Sequence, residues 1–433
     1  MSEVATSPAL PGAPTRDRSR TLDGAWLLSG ATVGSGVLAY AYHVLAARSL
    51  GPEGYGLVAV LWAALFLAVV VLFRPLEQTT SRAFADRLAR GEEVRTVLRA
   101  VALMYVGLSV LVLAGGAMAW SLLRDRLFLG DSLFVGALLA GTVVYGAAYV
   151  LRGVCGGSRW FNGYAVHLLA DGGARLAVAA PLVFIASRDL AAAAAAAAAV
   201  GGLVVPVIVG RRLLRRVLAE REGPRFHSRT AVAFALPATV IAAADQVLVN
   251  GGPLLVMLGG GRDAGKVAGV VFAATMLVRV PVFVFQGLAT SLLSNLTSLH
   301  AAAETALFRR AVVQASTGLA ACTAVIVVGA AALGPEAMQL VYGSDYVVGR
   351  LELALLGVGV GCYMATATFS QALLALDRGR IAAAGWVASA AAFLALYAAL
   401  PGEALMRVAV AFALATAAAV VLLALALAGR VRR

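Results

Sequence analysis

Long apolar runs constrain this chain more than any motif in it. Along 433 residues, stretches of 18 or more apolar residues with almost no charge recur about twelve times, and a run of that length reads as a membrane-crossing helix. They lie roughly at 23–47, 56–79, 97–122, 132–154, 164–187, 189–213, 230–257, 266–293, 310–333, 350–375, 380–400 and 404–428. In lipid every backbone N–H and C=O must be satisfied inside the segment, which single apolar runs achieve as helices. The expected fold class is therefore an all-α polytopic membrane protein. Composition agrees: 61% of residues are apolar and 13% charged, where a soluble domain carries about a quarter charged. The nine-alanine run Ala191–Ala199 fits a tightly packed helical span, alanine being the best helix former.

The basic residues set an expected orientation. Of 35 Lys/Arg, 24 fall in segments that lie on one side if the N-terminus is cytoplasmic, and 8 fall on the other. Basic loops stay on the cytoplasmic side, so both termini are expected there. The net charge of +13 is thereby explained by topology and contact with anionic lipid, and nucleic acid is not expected as a partner. The segments follow: 1–20 a disordered cytoplasmic tail without the apolar core of a signal peptide, 21–213 a first six-helix lobe, 214–229 a basic cytoplasmic linker, and 230–433 a second six-helix lobe.

Soluble chemistry has little room. The longest loop outside the spans is about 15–20 residues, well below ordinary domain size, so an enzyme is not expected. Cys155, Cys322 and Cys362 have no paired spacing, and His43, His167, His227 and His300 form no ligand motif, so no metal, disulfide or cofactor is expected. His43 reads as a packed residue of the first span rather than a proton relay. Gly260, with Gly265-Lys266 after four further residues, outlines a phosphate loop. The next residue is Val267 instead of Ser or Thr, and the flanks are apolar spans instead of a strand and a helix, so the motif fails. The stretch reads as a tight helix hairpin.

That hairpin has a partner. "AARSLGPEGYGLVAVL" at the end of the first span parallels "LVMLGGGRDAGKVAGVVF" at the end of the seventh, with Gly56 matching Gly269 at an offset of 213. The same offset sets "SRAFADRLARGEE" from Ser81 against "SNLTSLHAAAETA" from Ser294. Six spans return the chain to the same side, so the halves are expected to be parallel repeats about an axis along the membrane normal.

Three segments carry a family resemblance: "ARSLGPEGYGLVAVL" (Ala47–Leu61), "LPATVIAAADQVLVN" (Leu236–Asn250) and "LVYGSDYVVG" (Leu340–Gly349). In this order within twelve spans, the chain resembles the polysaccharide-exporter branch of the multidrug/oligosaccharidyl-lipid/polysaccharide exporter superfamily. It departs from that pattern at Gly260-Gly261-Arg262, where a short acidic turn is usual. The resemblance implies two pseudo-repeated six-helix lobes in a MATE-like V. It further implies a bacterial cytoplasmic membrane and a flippase that moves a polyprenyl-pyrophosphate-linked sugar by alternating access for cell-envelope polysaccharide synthesis. Membrane lipid, the glycan lipid and envelope glycosyltransferases or a polymerase would be its partners. A multidrug or cation antiporter of the same superfamily and a non-transporting scaffold of an envelope-synthesis complex are the alternatives.

Ionisable residues inside spans are costly, and so are functional candidates. Arg279 in span eight and Asp245 in span seven reach similar depths and are either a helix-locking salt bridge or cavity groups. Arg74 and Glu77 lie one turn apart near the inner end of span two, beside Pro75. Asp171 and Arg175, at i and i+4, share a face of span five, as a self-satisfied pair or a site. A guanidinium fork matches the planar acceptors of a pyrophosphate, so Arg74 and Arg279 are expected to meet the anionic head and Asp245 to gate or couple an ion.

Overall fold

A computed structural model describes residues 18–219, 228–261 and 263–431, and the described residues form helices joined by short turns. We number them α1 (Arg18–Ala89), α2 (Arg95–Met118), α3 (Ser132–Gly157), α4 (Phe161–Ala179), α5 (Arg188–Ala219), α6 (Ser228–Gly259), α7 (Ala264–Val278), α8 (Val280–Ala301), α9 (Thr305–Tyr342), α10 (Arg350–Ala375), α11 (Gly379–Ala399) and α12 (Ala404–Val431). Most of the expected 1–20 tail and the centre of the 214–229 linker lie outside the described residues. Arg18 to Arg20 already belong to α1, and residues 214–219 extend α5.

Ten described helices are long and apolar enough to cross a membrane. The longest holds two crossings, because α1 is broken at Gly51, whose φ of 64° and ψ of 175° are non-helical. A side chain at positive φ would clash with its own backbone, which is why glycine stands at this reversal. The limbs then run back along each other, with the His43 and Trp62 rings 4.4 Å apart. The remaining crossing is α7 followed by α8. These are separated at Arg279 (φ −84°, ψ −3°), just before Pro281, which has no N–H to continue the ladder. The expected twelve crossings and all-α multi-pass class are thus met. Span two is longer than expected and runs through Pro75 to Ala89; its helical dihedrals persist past the proline.

Within the first half, α4 packs on α5 and α1 on α3; within the second, α10 packs on α9 and α12. Contact between the halves is made mainly by α1 against α6 and α7. It concentrates at the end of the bundle that carries the Gly51 and Gly260 reversals, here called the hairpin end. A Cβ on Gly56 would stand 1.9 Å from the Gly265 carbonyl oxygen, and one on Gly269 would stand 2.3 Å from that of Pro52. Pro52 and Gly265 are related by the same offset as Gly56 and Gly269, so the two contacts are reciprocal, as a two-fold pseudo-symmetry requires. At the other end of these limbs Gly91 (φ 68°) and Ala303 (φ 57°) both take left-handed backbone after the helix ends, one residue out of the 213 register.

The same end is tied by polar contacts between two motifs noted in the sequence. Arg48 donates from Nε to the Val341 carbonyl at 2.8 Å and from Nη2 to that of Leu340, capping the last turn of α9 where carbonyls lack helical partners. Tyr346 Oη donates to the Ala47 carbonyl at 3.1 Å. His43 is wholly buried, its Nδ1 3.0 Å from Tyr55 Oη and its ring 4.9 Å from that of Phe272 on α7. It is a packed residue of this seal, as expected. The opposite end carries the first and last described residues, Arg18 and Val431.

Candidate functional site: a polar cavity in the first half

Three helices of the first half, α3, α4 and both limbs of α1, line a cavity of about 210 Å³. Thr32 and Ser35 of α1's first limb, Trp62 and Phe66 of its second, Tyr145 and Arg152 of α3, and Asp171 of α4 all reach its wall. Apolar packing behind the wall sets these side chains: Phe73 fills the notch at Gly146, and Leu65 the one at Gly141. The second limb of α1 is thereby held against α3 while Trp62 and Phe66 stay free to line the opening.

Two ion pairs define the site's electrostatics. Arg175 donates to Asp171 at 2.8 Å, with side chains 1% and 13% exposed, and also to Tyr145 Oη at 2.9 Å. Tyr145 in turn donates to the other Asp171 oxygen at 2.6 Å, closing the triad. The Arg175 guanidinium sits 4.5 Å from the Trp62 ring centre, a favourable cation–π distance. Arg152 lies 3.2 Å from Glu77, both accept or donate through Tyr164, and Arg152 stacks 4.4 Å from the Tyr149 ring. Removing these charges from water is costly and is offset only because each has an opposite charge and further hydrogen bonds. His167 is buried beside them with Nδ1 2.7 Å from the Gly202 carbonyl.

The expected residues therefore separate into three groups. Asp171 and Arg175 form their pair as the i,i+4 spacing implied. Glu77 is not paired with Arg74 one turn away; it bonds across to Arg152 and Tyr164 on α3 and α4. Arg74 is exposed, and among the described residues it has no ion-pair or hydrogen-bond partner. Three residues beyond Val71, it continues the α1 face whose Ala64, Leu67, Ala68 and Val71 meet Leu254 and Leu258 of α6 across the cleft between the halves. Asp245 and Arg279 form no salt bridge. Asp245 accepts from Tyr363 Oη at 2.5 Å and from Gln246 at 3.0 Å, while Arg279 donates to the Val249 carbonyl at 3.2 Å.

Arg152, Tyr145, Tyr164 and Tyr363 were not singled out by sequence. Arg152 falls near the end of the expected span 132–154 and is not among the ionisable residues picked out there, while the helix itself runs on to Gly157. The apolar "YVL" before it and "GVCGG" after it were the available signal. Chemically, the cavity offers aromatic faces beside paired donors and acceptors, a surface suited to hydroxyl-rich rings. The unpaired guanidinium stands outside it in the cleft. Among the described residues no cluster of His, Cys, Asp or Glu is placed to hold a metal.

Comparison with solved structures defines the class of fold: the chain has the architecture of MATE transporters of the MOP superfamily. An inward-facing multidrug resistance MATE family transporter superposes with a TM-score of 0.70 at 17% identity, covering 92% of this chain and 94% of that one. An outward-facing MATE structure gives 0.65 at 16% identity over 94% and 95%. A MOP superfamily transporter from Pyrococcus furiosus, described as having a binding pocket of reversed polarity, gives 0.63 at 16% over 95% and 96%. Sequence relatives are more particular but say less of function. The chain is 29% identical over 411 residues to the uncharacterized Mycobacterium tuberculosis protein Rv1510, covering 93% of this chain and 90% of that one. It is 28% identical over 363 residues to an uncharacterized Mycobacterium bovis protein, covering 82% and 81%. No protein-family model matches.

Proposed function

We propose that the protein is a flippase of the bacterial cytoplasmic membrane that carries a polyprenyl-pyrophosphate-linked sugar or oligosaccharide outward for cell-envelope polysaccharide synthesis. The observation that carries this reading is the division of labour in the first half. A cavity walled by Trp62, Phe66, Tyr145 and two internally neutralised ion pairs adjoins a cleft into which Arg74 brings an uncompensated positive charge. Aromatic faces and paired Arg and carboxylate groups hold sugar hydroxyls. The free guanidinium holds a pyrophosphate, whose oxygens it matches bidentately. Arg279 is the second phosphate contact, on the far wall, and the break at its position lets it swing with α8. Asp245, held by Tyr363 and Gln246 rather than by an arginine, is the gate or ion-coupling group.

In this reading the hairpin end faces outward, both termini are cytoplasmic, and the sealed hairpin end makes the present conformation inward-facing. The two lobes, 21–213 and 230–433, rock about the α1–α6–α7 seam to exchange access. Envelope glycosyltransferases or a polymerase supply and consume the lipid. A cation antiporter would want an acidic site free to take a cation, and the cavity carboxylates are each neutralised by an arginine within 4 Å.

The test is deletion of the gene in its host, with lipid-linked sugars separated by mass spectrometry into inward- and outward-facing pools. One inward-facing polyprenyl pyrophosphate sugar should accumulate and clear with the wild-type gene but not with Arg74→Ala. An unchanged pool would overturn the proposal.

A further inference from the structure

His167 of α4 has two ring nitrogens, and the fold uses one of them. Pro206 lies inside α5 and has no N–H to give the carbonyl four residues earlier. That carbonyl belongs to Gly202, and His167 Nδ1 lies 2.7 Å from its oxygen. A carbonyl oxygen only accepts, so Nδ1 carries the hydrogen. Glycine at this position makes the approach possible, because a Cβ on Gly202 would stand 3.0 Å from Cε1 and 3.1 Å from Nδ1 of the ring. The histidine thereby replaces the hydrogen bond that the proline removes and ties α4 to α5.

With the hydrogen fixed on Nδ1, Nε2 of the neutral ring is a bare acceptor. His167 is 3% exposed and belongs to the wall of the 210 Å³ cavity. Its Nε2 has no hydrogen-bond partner among the described residues, yet it is not sealed off as Nε2 of His43 is. The open space it meets is the cavity. The carboxylates beside it are already engaged: Asp171 takes Tyr145 and Arg175, and Glu77 takes Arg152 and Tyr164. A second proton on the ring would add a charge with no free counter-ion, which is costly at a buried site. A buried acceptor without a donor is costly as well, and a ligand that brings a donor removes that cost. We propose that His167 Nε2 is a specificity-determining acceptor of this cavity, taking a hydrogen bond from an uncharged hydroxyl on the ring of the cargo. This rests on the flippase reading and narrows its cargo to a sugar that presents a hydroxyl, neither deoxy nor carboxylate, at that wall.

The full-length protein in nanodiscs, made with isotope-labelled histidine, would be titrated with methyl glucoside, galactoside and mannoside and with their monodeoxy analogues. NMR reads the imidazole nitrogens, and the His167 pair is the one missing from His167→Gln. The free protein should show hydrogen on Nδ1 and none on Nε2. A bound hexoside should move the Nε2 signal towards that of a hydrogen-bonded acceptor and leave Nδ1 in place, and one deoxy position should weaken binding by about tenfold. Hydrogen on Nε2 in the free protein, an Nε2 signal that no hexoside moves, or tighter binding of a methyl uronoside than of its parent hexoside would overturn the assignment. Clearance of the lipid-linked sugar pool in deletion cells then separates the two jobs of the ring. His167→Gln keeps an acceptor near the place of Nε2 and loses the bond to Gly202; His167→Asn keeps a donor near the place of Nδ1 and loses the acceptor. The first variant should clear the pool and the second should slow clearance by about tenfold. The reverse order, or full clearance by both, would leave His167 as a strut between α4 and α5 and overturn its role in recognition. Hexoside binding through Nε2 with an unchanged pool in deletion cells removes the flippase and keeps the acceptor; an accumulated pool with an unmoved Nε2 signal does the opposite.

Discussion

Gly56 and Gly269 lie backbone against backbone at the hairpin end, so close that a Cβ on Gly269 would stand 3.1 Å from the Gly56 nitrogen and 2.3 Å from the Pro52 carbonyl oxygen. They are the same position of the two repeats, brought together where the halves meet. Backbone contact of this kind depends on the absence of side chains, as in small-residue helix interfaces within membranes.

Gly56→Ala and Gly269→Ala should therefore separate the halves at this end without disturbing either half alone. Overpacking of this sort costs about 1–3 kcal/mol, all of it on the closed state. Spin labels on Glu53→Cys and Asp345→Cys, both exposed positions, should report a longer or broader distance in either variant. An unchanged distribution would mean that the contact does not hold the end closed.

Arg48→Ala should loosen the same seal from the polar side. Its guanidinium caps the Leu340 and Val341 carbonyls at the end of α9, where a cation is worth about 0.3–1 kcal/mol at an exposed site. Hydrogen exchange should rise in the residues around Tyr342 to Tyr346, and Arg48→Lys, which keeps the charge and loses the fork, should fall between. Equal protection in all three proteins would remove Arg48 from the seal.

Asp171→Ala should destabilise by about 3–5 kcal/mol, because it leaves the buried Arg175 uncompensated. Replacing both, as Asp171→Leu with Arg175→Met, should recover most of that stability and still abolish function. Thermal unfolding of the detergent-solubilised protein measures the first, and clearance of the lipid-linked sugar pool the second. A double variant that works would place the pair in the scaffold alone.

Arg74→Ala should show the opposite profile. Having no partner among the described residues, it should change stability by no more than about 0.5 kcal/mol, as surface substitutions do, while pool clearance falls by about tenfold or more, the loss of one charge-assisted contact. Normal clearance would show that the cleft guanidinium does not touch the cargo.

How much of this was legible in sequence follows from what each feature depends on. Span number, the all-α class and the hairpins depend on local hydrophobicity and on glycine at positive φ, and these are properties of short segments. The Asp171–Arg175 pair was legible for the same reason, since i,i+4 neighbours meet on any helix. Even the reciprocal approach of Gly56 and Gly269 was foreshadowed by the repeat that aligned them.

What only tertiary structure decided is which charges meet across helices. Glu77 stands one turn from Arg74 yet bonds to Arg152 and Tyr164, on separate helices further along the chain. Asp245 and Arg279, expected at similar depth, take Tyr363 and a backbone carbonyl instead of each other. The rotation of a helix about its own axis selects these partners. That rotation is set by side-chain packing against several neighbours at once, such as Phe73 in the notch of Gly146. In lipid, hydrophobic patterning hardly distinguishes one face from another, so sequence reveals that a helix exists and how long it is, while packing alone decides where each face points.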